Sequence, residues 1–282
     1  MIADSGATKT TWVYRTSDGD LDFTTPGLSP YYLSGEQIAS FLKEQVIPQL
    51  EQGLPEEISF YGTGCGSAET RAQMKSAFLH AFGSGSQIDI HSDLEAAAHA
   101  LCGHDPGVAC ILGTGSNSCV YDGKKIVRNN PAPGFILGDE GSGAYLGKKI
   151  LQYFIYNTFD DELMHLFTTK YNLTYREIIH HVYKEPWPNR FLASFTPFLG
   201  ENRGHYMIEN IIEDGLSEFI IVHLYKYPET WSYPIHFSGG IAWHFQDVLR
   251  ELCHSFELEL GRIYSSPMEG LLAYHRKTEK ES

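Results

Sequence analysis

The sequence lacks the motifs that mark several common functional classes. None of its five cysteines forms a CxxC pair and its thirteen histidines form no HExxH motif, so it predicts neither a disulfide framework nor a zinc site. No apolar run is long enough to span a membrane, and the start carries no basic and apolar leader. We therefore expect a cytoplasmic protein that binds no membrane. The first apolar stretch, residues 1–3, is shorter than a usual strand, so residues preceding the given start are expected.

Basic residues are scarce as well. The 282 residues include 21 Lys and Arg against 35 Asp and Glu, which gives a formal net charge of −14. Such a chain repels nucleic-acid backbones, so we expect no nucleic-acid partner. The charge does not exclude a nucleotide, because local backbone amides and Mg²⁺ hold phosphates whatever the net charge is. The many Tyr and Phe residues of the second half fit either core packing or the face of a homodimer.

One pattern occurs twice along the chain. A strand, a Gly/Thr loop, a second strand, a turn and a third strand are predicted over residues 2–25 and again over 108–127. Helices are predicted at 36–50, 68–82, 94–102 and 246–258, short strands at 58–61, 88–91 and 235–237, and a mainly helical region at 140–225. The breaker cluster at 103–107 divides an α/β chain into domains 1–104 and 105–282, and the last helix returns to the first domain in one version of this division.

Both repeats begin with a candidate phosphate loop. Phosphate binding needs converging backbone amides, so glycine and small hydroxyl residues must line the turn. In residues 4–10 (DSGATKT) the candidates are Gly6, Thr8, Lys9 and Thr10, with Asp4 as a ligand of Mg²⁺; in residues 113–116 they are Gly113, Thr114, Gly115 and Ser116. Ordinary hairpin turns contain the same residues, and neither loop is a Walker A motif or a full GxGxxG.

Three further segments carry candidate chemistry. Asp93 lies between a strand and a helix, where spacing alone favours a helix N-cap; the other reading is a base that accepts the proton of an acceptor hydroxyl, and one residue can have both roles. The acids of residues 138–143 (GDEGSG) either bind sugar or Mg²⁺, or cap the helix predicted at 142–156. Gly239 and Gly240 follow a strand, where they allow a base and ribose to approach the backbone or simply form a tight turn.

Taken in order, the motifs at 4–10, 93, 113–116, 138–142 and 238–242 resemble the sugar kinase, Hsp70 and actin superfamily, and more narrowly the N-acetylglucosamine kinase and BadF/BadG-type ATPase family. The resemblance implies two ribonuclease H-like (actin-like ATPase) domains with a central nucleotide cleft, ATP and Mg²⁺. It implies that Asp93 is the catalytic base and that Gly239 and Gly240 bind adenosine. The sugar residues that it implies are Ser29, Gly64, Gly66, Asn117, Gly134 and Asp139.

The activity implied is phosphorylation of N-acetylglucosamine at its 6-hydroxyl. Ser29 stands where relatives often have Asn, which leaves N-acetylmuramic acid, glucosamine or another hexose open as acceptors; Lys9 and Arg71 are the cations near the sugar loops. A second reading is an energy-coupling ATPase of the dehydratase-activator type, whose cysteine-bound iron–sulfur cluster this chain has no paired cysteines to hold. A third is a sugar-binding module without catalysis, which would not need Asp4, Asp93 and Asp139.

Overall fold

The computed structural model describes residues 1–6, 9–16 and 19–281, with side chains described up to residue 276. The chain folds into two compact units. The first comprises Met1–His104 together with Pro267–Ser282, and the second comprises Asp105–Ser266. The end of the chain therefore belongs to the same unit as its beginning.

A five-stranded mixed sheet forms the centre of the first unit. Its strands are β1 (Ile2–Ser5), β2 (Lys9–Thr16), β3 (Gly19–Pro26), β4 (Glu57–Gly62) and β5 (Gln87–Ser92), in the spatial order β3-β2-β1-β4-β5. β1, β2 and β3 pair antiparallel, whereas β4 and β5 run parallel to β1. The helices of this unit are α1 (Gly35–Phe41), α2 (Ala68–Phe82), α3 (Asp93–Cys102) and the C-terminal helix Met268–Glu281, which is α12 in chain order.

Trp12 anchors the core on one face of this sheet. Its side chain is fully buried, and its ring centroid lies 6.0 Å from Phe23, 6.2 Å from Phe60 and 6.4 Å from Phe78. The indole N–H donates to Thr25 Oγ1 at 2.9 Å, so burial leaves its polar atom paired. The aromatic cluster joins the β1–β2–β3 hairpins to α2 and so fixes the ends of the strands.

The helix predicted over residues 36–50 begins as expected but changes type along its length. Ser34 and Gln37 form a capping box: Ser34 Oγ accepts from Gln37 N at 3.2 Å, and Gln37 Oε1 accepts from Ser34 N at 2.8 Å. α1 ends at Phe41 and continues as a π-helix (Leu42–Val46) and a 3₁₀ turn (Ile47–Gln49). Pro48 has no N–H and its ring displaces the carbonyl of the preceding turn, so the regular hydrogen-bond ladder stops before it.

The second unit repeats the sheet of the first. Its strands β6 (Pro106–Leu112), β7 (Ser116–Asp122), β8 (Ile126–Asn129), β9 (Ile235–Ser238) and β10 (Leu260–Tyr264) lie in the order β10-β9-β6-β7-β8. Read from the hairpin edge, both sheets have the order third, second, first, fourth, fifth strand, so the predicted internal repeat is confirmed. β10 was not predicted, and the helix predicted over 246–258 ends at Ser255.

Eight helices of the second unit lie between or after its strands. They are α4 (Gly143–Ile155), α5 (Asp161–Tyr171), α6 (Tyr175–Lys184), α7 (Pro188–Ala193), α8 (Pro197–Glu201), α9 (Tyr206–His223), α10 (Gly240–His244) and α11 (Gln246–Ser255). Phe167 is the centre of their aromatic core, with the rings of Phe154, Phe195 and Phe198 between 4.5 and 5.8 Å away. In the part of the chain that the structure describes, no helix combines the length and apolar character that crossing a bilayer requires.

Parallel strands bring the candidate segments of each unit to one sheet edge. In the first unit Ser5 is in register with Gly62 and Gly62 with Ser92, so the loops that follow β1, β4 and β5 are neighbours. In the second unit Ile111 is in register with Ser238, which places the loop after β6 beside the loop after β9. The carboxyl ends of parallel strands are where α/β sheets commonly bind ligands.

Candidate active site

Asp93 is the first residue of α3, and it is not the helix cap. Ser92 holds that position: its hydroxyl accepts from Glu95 N at 3.2 Å, while Glu95 Oε2 accepts from Ser92 N at 2.8 Å. The structural alternative for Asp93 as N-cap is therefore wrong, because the capping box uses the preceding serine. The Asp93 carboxylate is left for another role.

Two hydrogen bonds hold the Asp93 carboxylate at the end of β5. Oδ1 accepts from Leu94 N at 2.9 Å, and the hydroxyl of Thr63 donates to the same carboxylate. Burial raises the pKa of Asp93, and these two hydrogen bonds oppose the rise. The result is a fixed, poorly solvated carboxylate, which is a suitable proton acceptor beside a neutral hydroxyl.

Asp4 lies at the end of β1, close enough to Asp93 for the two charges to interact. Burial and the negative charge of Asp93 together raise the pKa of Asp4 to about 7, against the opposing charge of the Lys9 ammonium. A divalent cation would relieve both the burial and the repulsion, and Mg²⁺ prefers such oxygen ligands, so these residues fit the predicted Mg²⁺. Among the described residues, no cluster of three or more His, Cys, Asp or Glu side chains forms a dedicated metal cage.

The described residues on either side of the loop between β1 and β2 pair with each other. Gly6 N donates to Lys9 O at 3.0 Å, and both residues are exposed. Thr10 is buried instead: its hydroxyl lies 2.8 Å from Ser5 Oγ and donates to Pro26 O at 3.2 Å, so it is engaged inside the hairpin. Thr8 lies outside the described residues.

The glycine loop 62–66 follows β4 and contacts the predicted sugar residue Ser29. Gly64 has φ +86°, and a Cβ there would lie 2.9 Å from Ser29 Oγ and 3.0 Å from Tyr31 Cδ2. Only glycine allows both the positive φ and this close approach. Gly66 is exposed and a Cβ there would meet nothing within 4 Å.

In the second unit the loop 113–116 is braced by the start of α4. Gly113 O accepts from Gly143 N at 2.8 Å, Thr114 O accepts from Ala144 N at 3.0 Å, and Gly113 N donates to Gly115 O at 3.0 Å. The buried hydroxyl of Ser116 has no hydrogen-bond partner among the described residues. An unpaired buried hydroxyl beside a glycine turn fits a loop that receives phosphate oxygens.

Asp139 lies against this same loop. Its Oδ1 accepts from Ser116 N at 3.4 Å, and its Oδ2 lies 3.1 Å from the position of a Cβ on Gly115. Burial raises the pKa of Asp139, against the hydrogen bond from Ser116. The alternative in which the acids of this segment cap α4 is wrong, because Ser142 is the N-cap and its hydroxyl accepts from Tyr145 N at 3.2 Å.

The remaining predicted residues of the second unit differ in how near they are to the loop 113–116. Gly239 has φ +120° and a Cβ there would lie 2.7 Å from the Leu112 carbonyl carbon, so this turn packs on the loop; a Cβ on Gly240 would meet open space. Asn117 Oδ1 accepts from Ser118 N and from Asn129 Nδ2, which engages it between β7 and β8. Gly134 forms a separate turn, with Gly138 N donating to its carbonyl at 2.8 Å.

Thr63, Arg71 and Glu95 support the surroundings of Asp93 and were not among the predicted site residues. The Thr63 hydroxyl donates to the Asp93 carboxylate, and Arg71 Nη2 lies 2.8 Å from Oε2 of Glu95, which is two residues after Asp93. The motif Ser92-x-x-Glu95 was a visible capping-box signal. No sequence signal linked Thr63 or Arg71 to Asp93, because these contacts join segments that meet only in the folded sheet.

Comparisons with known proteins agree with this fold. No family model and no curated protein matches the chain. A candidate N-acetylglucosamine kinase from Porphyromonas gingivalis is 36% identical over 99% of both chains, with a TM-score of 0.93. A candidate N-acetylglucosamine kinase from Chromobacterium violaceum is 16% identical over 96% of both chains, with a TM-score of 0.73. A glucokinase of the ROK family from Streptomyces griseus, in complex with glucose and AMPPNP, is 13% identical over 96% of both chains, with a TM-score of 0.55.

The last two likenesses show the fold, which is the two-domain α/β fold of the actin-like ATPases. The first shows more, since identity at that level extends over nearly the whole of both chains. The chain belongs to the N-acetylglucosamine kinase-like family of sugar kinases, within the sugar kinase, Hsp70 and actin superfamily.

Proposed function

We propose that this chain transfers the γ-phosphoryl group of ATP to the 6-hydroxyl of N-acetylglucosamine. The observation that carries the proposal is the Asp93 carboxylate, which lies at the start of α3 without capping it and is held by Thr63 and Leu94. A sugar-binding module has no need of a fixed, poorly solvated carboxylate, whereas a kinase needs one to orient the acceptor and take its proton.

In the proposed reaction Asp93 accepts a hydrogen bond from the acceptor hydroxyl and then its proton, as the oxygen bonds to the γ-phosphorus and the bond to ADP breaks. Burial favours the protonated form of Asp93 after transfer, because it raises the pKa of that carboxyl. Ser29 and Gly64, which touch one another, would line the sugar on the side of the glycine loop.

The second unit would hold the nucleotide. The backbone of 113–116 and the hydroxyl of Ser116 would donate to phosphate oxygens, and the turn at Gly239 and Gly240 would receive the adenosine. Mg²⁺, when bound near Asp4, supplies positive charge that offsets the charge developing on the transferred phosphoryl group. Asp4 would position it, with Lys9 as a second positive charge nearby.

The state of Arg71 supports a neutral acceptor over N-acetylmuramic acid. That sugar carries an extra carboxylate, and Arg71 was one of two cations near the sugar loops available to receive it. Its guanidinium is engaged with Glu95 and with the carbonyl of Cys65. Binding an anionic substituent there would break the existing pair between Arg71 and Glu95. Breaking that pair costs more free energy than pairing the substituent with an arginine that had no partner.

The test is ADP release in the presence of Mg²⁺ and ATP, with and without N-acetylglucosamine. We expect the sugar to stimulate turnover strongly, and Asp93→Asn to lower the stimulated rate by roughly 10²–10⁴-fold, the usual contribution of a general base. Asp89→Asn is the matched control, because Asp89 lies on β5 of the same unit and its carboxylate accepts a hydrogen bond from Gln87 Nε2 at 3.2 Å. It should retain the wild-type rate.

The acceptor position is tested with 6-deoxy-N-acetylglucosamine, which should not stimulate ADP release. Stimulation by another sugar but not by N-acetylglucosamine would correct the acceptor. Full sugar-dependent activity in Asp93→Asn would remove the assigned base. No response to any sugar, together with steady basal hydrolysis, would favour the energy-coupling ATPase instead.

A further inference from the structure

Arg71 makes three hydrogen bonds that join two segments of the first unit. It lies in the first turns of α2, where its Nε donates to Cys65 O at 2.8 Å. Its two terminal nitrogens reach the carboxylate of Glu95, with Nη2 2.8 Å from Oε2 and Nη1 3.3 Å from Oε1. This forked geometry fixes direction as well as distance, which a lysine cannot do.

Glu95 belongs to the turn of α3 that carries Asp93. Its Oε2 also accepts from Ser92 N at 2.8 Å and from Ser92 Oγ at 2.9 Å. Burial alone would raise the pKa of Glu95, but hydrogen bonds from His91 and Ser92 and the charge of Arg71 lower it to about 2. Glu95 is therefore an ionised, fixed point on the first turn of α3.

Cys65 belongs to the glycine loop 62–66, whose other contacts concern the candidate site. Thr63 donates to the Asp93 carboxylate. Gly64 packs so closely against Ser29 that a Cβ on Gly64 would lie 2.9 Å from Ser29 Oγ. Arg71 hydrogen-bonds both this loop and the turn of α3 that bears Asp93. The loop is thus tied to α3 at two points, through Thr63 to Asp93 and through Arg71 to Glu95.

We propose that Arg71 is a positioning residue that fixes the glycine loop 62–66 against the first turn of α3, so that the acceptor hydroxyl meets Asp93 in a reactive geometry. The inference rests on the proposed kinase function. Arg71 acts through the loop and Glu95, and it does not itself touch the acceptor. Misplacing a reacting group by about 1 Å can cost on the order of 10²-fold in rate, so a residue that sets this distance has a kinetic signature.

The experiment replaces Arg71 by Met, whose side chain is of similar length but makes none of the three hydrogen bonds. Basal ATP hydrolysis without sugar should stay within about twofold of wild type, while sugar-stimulated kcat falls roughly tenfold and the acceptor KM rises roughly tenfold. Glu95→Gln should act in the same direction. Arg71→Met/Glu95→Gln should be no worse than the poorer single variant, because both remove one coupled contact.

Arg203→Met in the second unit is the matched control. Arg203 has a similar forked arrangement, 2.9 Å from Glu209 and 2.7 Å from Asp247, and a similar exposure of 32% against 36% for Arg71. It should change thermal stability about as much as Arg71→Met does and leave the acceptor KM unchanged. Hydrogen exchange of the amides of 63–66 should accelerate in Arg71→Met only.

Three results overturn the inference. The first is an unchanged acceptor KM and kcat in Arg71→Met; the second is equal kinetic losses in Arg71→Met and Arg203→Met, which means general destabilisation. The third is unchanged hydrogen exchange at 63–66 in Arg71→Met. Failure of the proposed function is separate and seen in wild type alone: without stimulation by any sugar, the kinase proposal falls and the role of Arg71 in it falls too.

Discussion

The stability of the first unit should depend on pH through His99. This residue of α3 is 8% exposed, and its Nδ1 lies 3.0 Å from Tyr61 Oη, which lies 3.0 Å from Nε2 of His275 in α12. Tyr274 stacks on the His99 ring with centroids 4.3 Å apart. Burial and the positive charges of His91, His275 and His104 together lower the pKa of His99 to about 4, against the opposing charge of Glu95.

The sign follows from the two protonation states. An unfolded chain has a histidine pKa of 6.5, so between pH 6.5 and about 4 the unfolded state binds a proton that the folded state does not. Stability is therefore full above pH 6.5 and falls as the pH drops through this window. At pH 5 the loss is RT ln[(1 + 10^1.5)/(1 + 10^−1)], or about 2 kcal/mol for His99.

The assay is urea unfolding at pH 7.5 and pH 5.0. Trp12 is the tryptophan of the first unit, so the background chain carries Trp187→Phe, Trp231→Phe and Trp243→Phe, and fluorescence then reports on this unit. His99→Gln keeps a polar group for Tyr61 but has no proton to bind. Its loss of stability between the two pH values should be smaller than that of the background by about 2 kcal/mol.

His80→Gln is the control, because His80 is an exposed histidine of α2 in the same unit. It should retain the full pH dependence of the background. Equal losses in His99→Gln and in the background would refute the reasoning, since they would mean that His99 titrates alike in the folded and unfolded states.

One glycine substitution tests packing in each unit, and a further substitution in the first unit is the control. Gly270→Ala would place a Cβ 2.7 Å from Ala100 Cα, so it should lower the free energy of unfolding of the first unit in urea by about 3 kcal/mol. Gly85→Ala places its Cβ in open space and should change that free energy by less than about 0.5 kcal/mol. Equal effects of the two substitutions would contradict the packing of α3 against α12. Gly239→Ala combines a φ of +120° with a Cβ 2.7 Å from the Leu112 carbonyl carbon, so the Kd for ATP, measured by calorimetry, should rise at least about tenfold, and an unchanged Kd would remove this turn from the nucleotide site.

Local signals in the sequence were sufficient for much of the fold. The helix over residues 68–82 was predicted with the bounds that α2 has, and the Ser34–Gln37 capping box starts α1 as predicted. Both rest on interactions within one turn or on a clear helical period, which neighbouring residues determine. The repeated strand–loop–strand pattern likewise led to two sheets of the same strand order.

β10 was missed because its apolar residues do not alternate: Leu260 and Ile263, three positions apart, both pack against the core, and the register with β9 shifts between them. It is an edge strand whose residues are all partly or fully exposed, and Gly261 and Arg262 interrupt any alternation. An edge strand of this kind is specified by its pairing with β9 rather than by its own composition. The helix predicted over 246–258 ends early, at Ser255, and Glu257 just beyond it has a φ of +56°, which no α-helix contains.

The candidate site could be predicted by residue type but not by partnership. Asp93 was found from its place between strand and helix, where spacing favoured a cap, although the pattern Ser92-x-x-Glu95, which forms the capping box in the structure, was also present in the sequence. The contacts of Thr63 and Arg71 with the first turn of α3 join residues 24 to 30 positions apart. Such pairings depend on strand register, which single-residue patterns do not contain.

The membership of α12 in the first unit affects how the protein can be made. Residues 105–266 form one continuous unit that can fold as soon as they emerge during synthesis, whereas the first unit must wait for residues 267–282 before Leu271 enters its core and His275 reaches Tyr61. Until then α3, which bears Asp93, lacks one of its packing partners. A nascent chain would therefore form the loop 113–116 within a folded unit before the first turn of α3, with Asp93, has all of its packing partners.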